Sequence, residues 1–166
     1  ASAYTGIAPA TYAAQFDTVY VSLWKYFNSG VGAIIAGPRR VLDGMHHTRR
    51  MFGGNLAVGW PAARVAGHFM DGFVERLRNA VNVSEAFYSA IASHPKVKVE
   101  RIPNGTNLAR LHVTGADMVL AQRRLAERGI MMPPASAAGT VMIGVNESWN
   151  RTTGALLAEA FGRALA

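Results

Sequence analysis

The sequence predicts an α/β protein in two parts, with a boundary near residue 82. Two observations predict this class. Short apolar and β-branched runs alternate with segments of helical periodicity, and after Pro95 the order is strand, strand, helix, strand, helix. The first part has only two convincing strands, too few for a self-sufficient sheet. We therefore expect residues 1–82 to be the last section of a larger α/β domain, and residues 83–166 to be a small α/β sandwich domain with an antiparallel component.

The first part begins with a short helix and two strands. Residues 11–15 have helical character, and Asp17–Leu23 is rich in the β-branched and aromatic residues that favour strands. Residues 24–32 read as a loop, because polar and glycine residues interrupt any period. Ala33–Ala36 is entirely apolar and ends at Gly37, a pattern typical of a strand buried on both faces. This second strand is expected inside a sheet covered by helices.

Helical segments then follow. The first runs from Pro38 to about residue 52 and is followed by a permissive glycine loop, and a long amphipathic helix covers residues 61–80. The apolar stripe of this long helix is spaced by four residues and consists of Val65, Phe69, Phe73 and Leu77. Ser84 is expected to start a further helix, with its hydroxyl as the N-terminal cap.

The second part contains three strands and two helices. Alternating or apolar residues predict strands at 97–102, 107–113 and 141–145. Helical segments are expected at 115–128, where Gly129 provides the stop signal, and at 152–165.

Composition excludes several classes of protein. The chain has no cysteine, so disulfide scaffolds, zinc–thiolate sites and thiol nucleophiles are excluded. Its five histidines do not have the spacing of metal ligands, so we expect no metal site. The net charge is +7, with 17 basic against 10 acidic residues, but the basic residues are spread along the chain and form no run of like charge. We favour a solvated basic surface over a nucleic-acid interface.

Lys25 is the residue that points to chemistry. It follows a predicted strand and lies between Trp24 and Tyr26, in a chain with only three lysines. Apolar surroundings disfavour the charged amine, so we expect its pKa to fall, and a neutral amine is what Schiff-base chemistry requires. A lysine whose stem lies on the aromatic rings and whose head reaches water is the alternative from position alone.

The segment around this lysine resembles a known family. Residues 17–37 read DTVYVSLWKYFNSGVGAIIAG: a strand begun by aspartate, a serine and a lysine, a glycine-bearing loop and an apolar strand between glycines. This pattern is similar to the lysine region of the threonine aldolase and β-eliminating lyase family, fold-type I (aspartate aminotransferase-like) enzymes that use pyridoxal 5′-phosphate (PLP). Residues 49–54, RRMFGG, resemble the basic segment of the family that ends in paired glycines. The resemblance covers nearly the whole chain and is strongest over residues 12–70.

The resemblance implies roles for four residues. Lys25 would form the Schiff base with PLP and, once released by substrate, would transfer protons. Ser22 would donate to the cofactor phosphate, although an ordinary hydroxyl at a strand end is an equal alternative. Gly53 and Gly54 would let the backbone approach a phosphate or a neighbouring subunit, and a plain turn after a helix is the comparable alternative.

The sequence also departs from the pattern of the family. Trp24 stands where a serine is common, and Ala57 and Val58 stand where an Arg-Gln pair is usual. Met142 occupies the expected place of an arginine that grips the substrate carboxylate. Two other residues are candidates to replace that arginine, Arg110 and Arg151. Both could equally be solvated surface residues.

The resemblance implies the C-terminal half of a PLP-dependent lyase or aldolase that acts on a β-hydroxy amino acid. The implied partners are an amino-acid substrate, the missing N-terminal half and further copies in a dimer or tetramer, with no nucleic acid or membrane. No signal peptide or spanning segment is visible, which leaves secretion open, and we expect a cytoplasmic location. The alternatives are another fold-type I reaction, such as transamination or desulfuration, and a basic non-enzymatic binding module.

Overall fold

The strands form two separate antiparallel sheets in the computed structural model, which describes residues 1–103 and 107–166. Within those ranges the chain divides into two compact units. Ser2 and residues 6–73 form the N-terminal unit, and residues 1, 3–5 and 74–166 form the C-terminal unit. The predicted boundary near residue 82 lies within a helix and stays a prediction about the domains of the whole protein.

The N-terminal unit contains a two-stranded hairpin and short helices. Strand β1 pairs with β2 from Val19 opposite Ala36 to Ser22 opposite Ala33. The elements of this unit are α2 (Pro9–Ala13), β1 (Val19–Ser22), β2 (Ala33–Ala36), α3 (Arg39–Leu42), α4 (Met45–Met51) and α5 (Trp60–Met70). The first helix, α1 (Ser2–Thr5), belongs mostly to the C-terminal unit.

Strand β2 is where the structure departs from the expected burial. Its location at Ala33–Ala36 is as predicted, but every residue of the strand is exposed, including Ile34 at 46% and Ile35 at 47%. The expectation of burial on both faces is therefore wrong for this chain. β1 is the strand paired with β2 in the described residues, and a lone hairpin leaves its faces open.

Three predicted helix boundaries are also wrong. The segment 38–52 is split into α3 and α4 at Gly44, whose φ of 77° is the left-handed conformation that glycine favours. The long helix ends at Met70, and α6 begins at Phe73, because Gly72 has a φ of 63°. Ser84 does not cap a helix, since it is buried inside α6 and its hydroxyl donates to the Val81 carbonyl oxygen at 2.7 Å.

The C-terminal unit is a three-stranded sheet with helices, as predicted. The strand order is β3-β4-β5, with both pairs antiparallel. Asp117 caps α7 and Thr153 caps α8 through their side-chain oxygens. The elements are α6 (Phe73–Ile91), β3 (Val97–Arg101), β4 (Leu108–Val113), α7 (Met118–Ala126), β5 (Thr140–Gly144), a 3-10 helix (Glu147–Arg151) and α8 (Gly154–Ala164). The first residue of α6, Phe73, is the last residue of the N-terminal unit.

Alternation along the strands puts apolar residues on one face of this sheet and polar residues on the other. Leu111 and Val141 are fully buried in the inner face and face one another in the register of β4 and β5. The inner face joins a core with Phe87, Leu125 and Phe161 from α6, α7 and α8. Burial of such side chains contributes about 1.5–3 kcal/mol each. The other face of the sheet stays accessible and carries polar side chains.

Candidate active site

Lys25 lies in a closed loop between β1 and β2, which we call the lysine loop (residues 23–32). Its first residue, Leu23, is buried, and the Leu23 amide donates to the Gly32 carbonyl oxygen at 3.1 Å. The Ser29 amide donates back to the Leu23 carbonyl oxygen at 3.4 Å. Asn28 adopts a φ of 52°, which asparagine tolerates better than most residues. The loop therefore has a defined shape without regular secondary structure.

The Lys25 side chain is exposed, with its Nζ 5.6 Å from the centre of the Trp24 ring. That distance is within the range of a cation–π interaction. Tyr26 and Phe27 pack against Phe73, with ring centroids 5.6 Å and 5.0 Å away. The expected apolar enclosure of the amine is therefore not formed by the described residues, because these two aromatic rings contact Phe73 instead.

The Ser22 hydroxyl has an unusual environment for a strand-end serine. Its Oγ atom is buried and has no hydrogen-bond partner among the described residues. A buried hydroxyl without a partner costs about 1–3 kcal/mol, so such groups normally have an acceptor or donor. Ser22 ends β1, three residues before Lys25. A phosphate oxygen from a bound molecule would satisfy this hydroxyl, so the environment of Ser22 fits a donor to a cofactor phosphate.

Gly53 and Gly54 end helix α4. The Gly54 amide donates to the Arg49 carbonyl oxygen at 2.8 Å, and the Gly53 amide to that of Arg50 at 3.1 Å. This pair of bonds, with Gly53 at a φ of 76°, is a Schellman motif. A Cβ atom on Gly54 would lie 2.6 Å from Arg49 Cγ, whereas nothing lies within 4 Å of a Cβ on Gly53. A turn after the helix, the alternative given above, accounts for both glycines. The space around the Cβ position of Gly53 is unoccupied.

A polar cluster on the accessible face of the β3-β4-β5 sheet was missed by sequence reasoning. Glu100 accepts from Arg110 Nη1 at 2.6 Å, and its second oxygen lies 2.7 Å from His112 Nε2. His112 Nδ1 lies 3.1 Å from Thr140 Oγ1. Hydrogen bonds from His112 and then Arg110 lower the pKa of Glu100. Alternating polar residues in the three strands predict a polar face, but the strand register determines which of these side chains meet.

The register also decides which arginine lies near Met142. Arg110 and Met142 are directly opposite each other in β4 and β5, so they share the accessible face. Arg151 ends the 3-10 helix and is exposed. Ala57 and Val58 are exposed in the segment between α4 and α5. Of the two candidate arginines, Arg110 is the one that the sheet places beside the substituted position.

Within residues 1–103 and 107–166, no group of three or more histidine and acidic side chains is arranged to hold a metal ion. In the same ranges, no helix has both the length and the apolar character that a bilayer span requires.

Comparison with known proteins identifies the family. The profile of the beta-eliminating lyases matches residues 1–119, which is more than half of the chain. The chain belongs to the beta-eliminating lyase family. Its members are PLP-dependent enzymes, so the predicted family and cofactor class are confirmed. No curated protein sequence matches this lyase-family chain.

Solved structures with a similar fold support the predicted fold class. A Listeria monocytogenes EGD-E structure, provisionally described as an L-allo-threonine aldolase, has a TM-score of 0.76 at 18% identity. The match covers 99% of this chain and 48% of that one. An omega transaminase from Pseudomonas jessenii in complex with PMP has a TM-score of 0.56 at 18% identity, with 94% and 38% covered. The chain thus corresponds to about half of the first structure and has the fold of the C-terminal part of fold-type I enzymes.

Proposed function

We propose that the protein containing this chain is a PLP-dependent lyase that cleaves a β-hydroxy amino acid, with Lys25 as the catalytic lysine. The observation that carries the proposal is the family match over residues 1–119, which includes the lysine loop. Bound PLP supplies an electron-withdrawing ring that stabilises negative charge at the substrate Cα. Lys25 would provide the amine that holds the cofactor and, when free, a base for proton transfer.

Ser22 and the paired glycines complete the proposed cofactor contacts. The buried Ser22 Oγ, unpartnered among the described residues, supports a role as donor to the cofactor phosphate. Space beside Gly53 supports close approach of a phosphate or of a neighbouring subunit to the backbone there. Gly54 contributes its backbone conformation to the same turn, and any larger residue would meet Arg49.

Arg110 is the residue we propose to bind the substrate carboxylate in place of the arginine expected at Met142. Its guanidinium donates from Nη1 to Glu100, and its other N–H groups have no partner among the described residues. An arginine fork with donors to spare can hold a carboxylate. Glu100 fixes the guanidinium by accepting from one side, and Met142 is the neighbour on the other side in the register.

The exposed apolar residues of the N-terminal unit support a preceding half of the enzyme as a partner. Tyr20 on β1 is 65% exposed, and both isoleucines of β2 are nearly half exposed. Tyr20 and Ile35 are opposite each other in the register and share one face of the hairpin, while Ile34 lies on the other face. Exposed apolar side chains on both faces support burial of the hairpin by a further part of the protein. We propose that the rest of a large α/β domain covers the hairpin, and that the active site is completed in a dimer or tetramer. A cytoplasmic location belongs to the same proposal.

Borohydride reduction of the full-length protein with PLP tests the assignment of Lys25. Reduction fixes a lysine–PLP linkage, and peptide mass spectrometry should locate the label on Lys25. The variant Lys25→Ala should lose the label and the visible absorbance, whereas Lys98→Ala, which removes an exposed strand lysine, should keep both. A label on another lysine in the wild-type protein would refute the assignment.

Product analysis separates the proposed reaction from the alternatives. Incubation with L-threonine, L-allo-threonine and L-serine should release glycine and an aldehyde if the protein is an aldolase. Transfer of the amino group to a keto acid would instead indicate a transaminase, a reaction class represented among the structures of similar fold. Absence of any PLP-dependent product would leave the non-enzymatic alternative.

Kinetics of arginine variants test the carboxylate contact. Arg110→Gln should raise KM for the amino acid by about 10–100-fold with a smaller change in kcat, since charged hydrogen bonds contribute about 1.5–3 kcal/mol. Arg151→Gln is the matched control and should leave KM within about twofold, because exposed surface substitutions have small effects. The reverse pattern would assign the contact to Arg151.

A further inference from the structure

An aromatic cluster joins the lysine loop to Phe73, which belongs to the same N-terminal unit. Tyr26 and Phe27, the two residues after Lys25, contact the same ring, that of Phe73. The Phe27 and Phe73 rings meet edge to face, with an interplanar angle of 71° and centroids 5.0 Å apart. Tyr26 adds a tilted contact at 5.6 Å. Edge-to-face and tilted pairs at these distances are favourable geometries for aromatic rings.

The backbone turn before α6 brings Phe73 to this place. Helix α5 ends at Met70, and Gly72, with a φ of 63°, redirects the chain so that Phe73 is the first residue of α6. A residue with a Cβ atom is strained in this conformation. The sequence predicts Phe73 as part of the apolar stripe of one long helix, and the structure shows that it is not. It starts a new helix with its ring on the lysine loop.

We propose that Phe73 is a positioning residue that fixes the backbone on the C-terminal side of Lys25 by packing against Tyr26 and Phe27. Leu23 is buried two residues before Lys25, so the lysine lies between two anchors. The exposed side chain keeps its rotamer freedom, while its Cα is held in place. A fixed attachment point removes part of the ordering cost when the amine is joined to a bound molecule. This inference rests on the proposed role of Lys25, but the anchoring of the loop does not.

Two measurements on the full-length protein test the proposal. Hydrogen exchange follows the Leu23 and Ser29 amides, which donate the two hydrogen bonds that close the loop. Titration with PLP, followed by its visible absorbance, gives the affinity at Lys25. Phe73→Leu should speed exchange at both amides and weaken PLP binding, each by about tenfold, since two aromatic pairs are lost.

Three further variants distinguish positioning from general damage to the fold. Phe73→Tyr keeps the ring and should restore both readouts. Phe16→Leu, the same kind of substitution at a residue that is 68% exposed in the same unit, should change neither. Phe27→Leu removes the partner ring without altering α6. It tests the same contact if Phe73→Leu does not fold. In the double variant, the effects of Phe27→Leu and Phe73→Leu should be less than additive, because they break the same contact.

The outcomes separate this inference from the proposed function. Additive effects, or a Phe73→Leu protein with unchanged loop exchange and PLP affinity, would overturn the positioning role while leaving Lys25 as the catalytic lysine. A wild-type protein that attaches no PLP at Lys25 would overturn the proposed function. Loop exchange in the same variants would then still decide whether Phe73 anchors residues 23–32.

Discussion

Gly154 illustrates how a single residue decides the packing of helix α8. It is buried at the first position of α8, and a Cβ atom there would lie 2.5 Å from the Phe87 amide nitrogen and 2.6 Å from the Val83 carbonyl oxygen. Both neighbours belong to the backbone of α6 and cannot move as a side-chain end can. The two helices can therefore approach this closely only because position 154 has no side chain.

We expect Gly154→Ala to lower the free energy of unfolding by about 1–3 kcal/mol, the usual range for overpacking a well-filled core. Gly67→Ala in α5 is the matched control, because no atom lies within 4 Å of its Cβ position. That control should be neutral or stabilising by about 0.5–1 kcal/mol, as alanine is the better helix former. Urea unfolding measures both. Equal effects of the two substitutions would show that the close approach of α6 and α8 is not formed.

At the scale of elements, the Glu100 carboxylate joins neighbouring strands on the accessible face of the β3-β4-β5 sheet. Its partners His112 and Arg110 both belong to β4, and His112 extends the chain of contacts to Thr140 on β5. Hydrogen bonds from His112, and then from Arg110, lower the pKa of Glu100. A carboxyl with a lowered pKa in the folded state contributes stability above its unfolded pKa and loses it as the pH falls through the folded value.

Glu100→Gln should therefore reduce stability at neutral pH, and the difference from wild type should shrink as the solution is acidified towards the lowered pKa. Urea unfolding at a series of pH values measures this trend. Glu127→Gln is a suitable control, since Glu127 forms an exposed pair with Arg123 at 3.4 Å at the C-terminal end of α7. A Glu100→Gln difference that is independent of pH would mean that the cluster does not hold the charged carboxylate.

The helices and strands differ in how well the sequence predicts them. Strands and helices after Pro95 agree with the structure because their apolar partners, such as Leu111 and Val141, lie within the chain and impose a clear alternation. The break at Gly72 was missed because a single glycine is tolerated inside a helical pattern, and the Ser84 hydroxyl was misread because the same group can cap a helix or bond within it.

Some features of the site residues follow from the local sequence pattern, and others depend on contacts with distant parts of the chain. The position of Lys25 after β1 follows from the strand pattern, whereas its exposure depends on which rings Tyr26 and Phe27 contact. The cluster of Glu100, Arg110 and His112 depends on register, which the sequence of each strand alone does not specify. Long-range pairing therefore limits the prediction of the site more than local propensity does.

On the scale of the whole molecule, the two units differ in how far they bury their own apolar residues. In residues 6–73, Leu23 and Ala66 are the buried apolar side chains, whereas Phe52 is 83% exposed and Trp60 is 74% exposed. The C-terminal unit has a core that includes Phe87, Tyr88 and Phe161. Because hydrophobic burial is the main favourable term in folding, the units should differ in local stability.

Hydrogen exchange on the 166-residue chain expressed alone should thus give strong protection in β3–β5 and weak protection in β1 and β2. In the full-length protein, in which we propose that a preceding half covers the hairpin, the β1 and β2 amides should gain protection by about 10²-fold or more. That gain corresponds to about 3 kcal/mol of added opening free energy, which burying two or three large apolar side chains can supply. Equal protection of both sheets in the isolated chain would contradict the difference between the units. Unchanged exchange of β1 and β2 in the full-length protein would contradict the proposed large domain, because its formation requires that the open faces of the hairpin be buried.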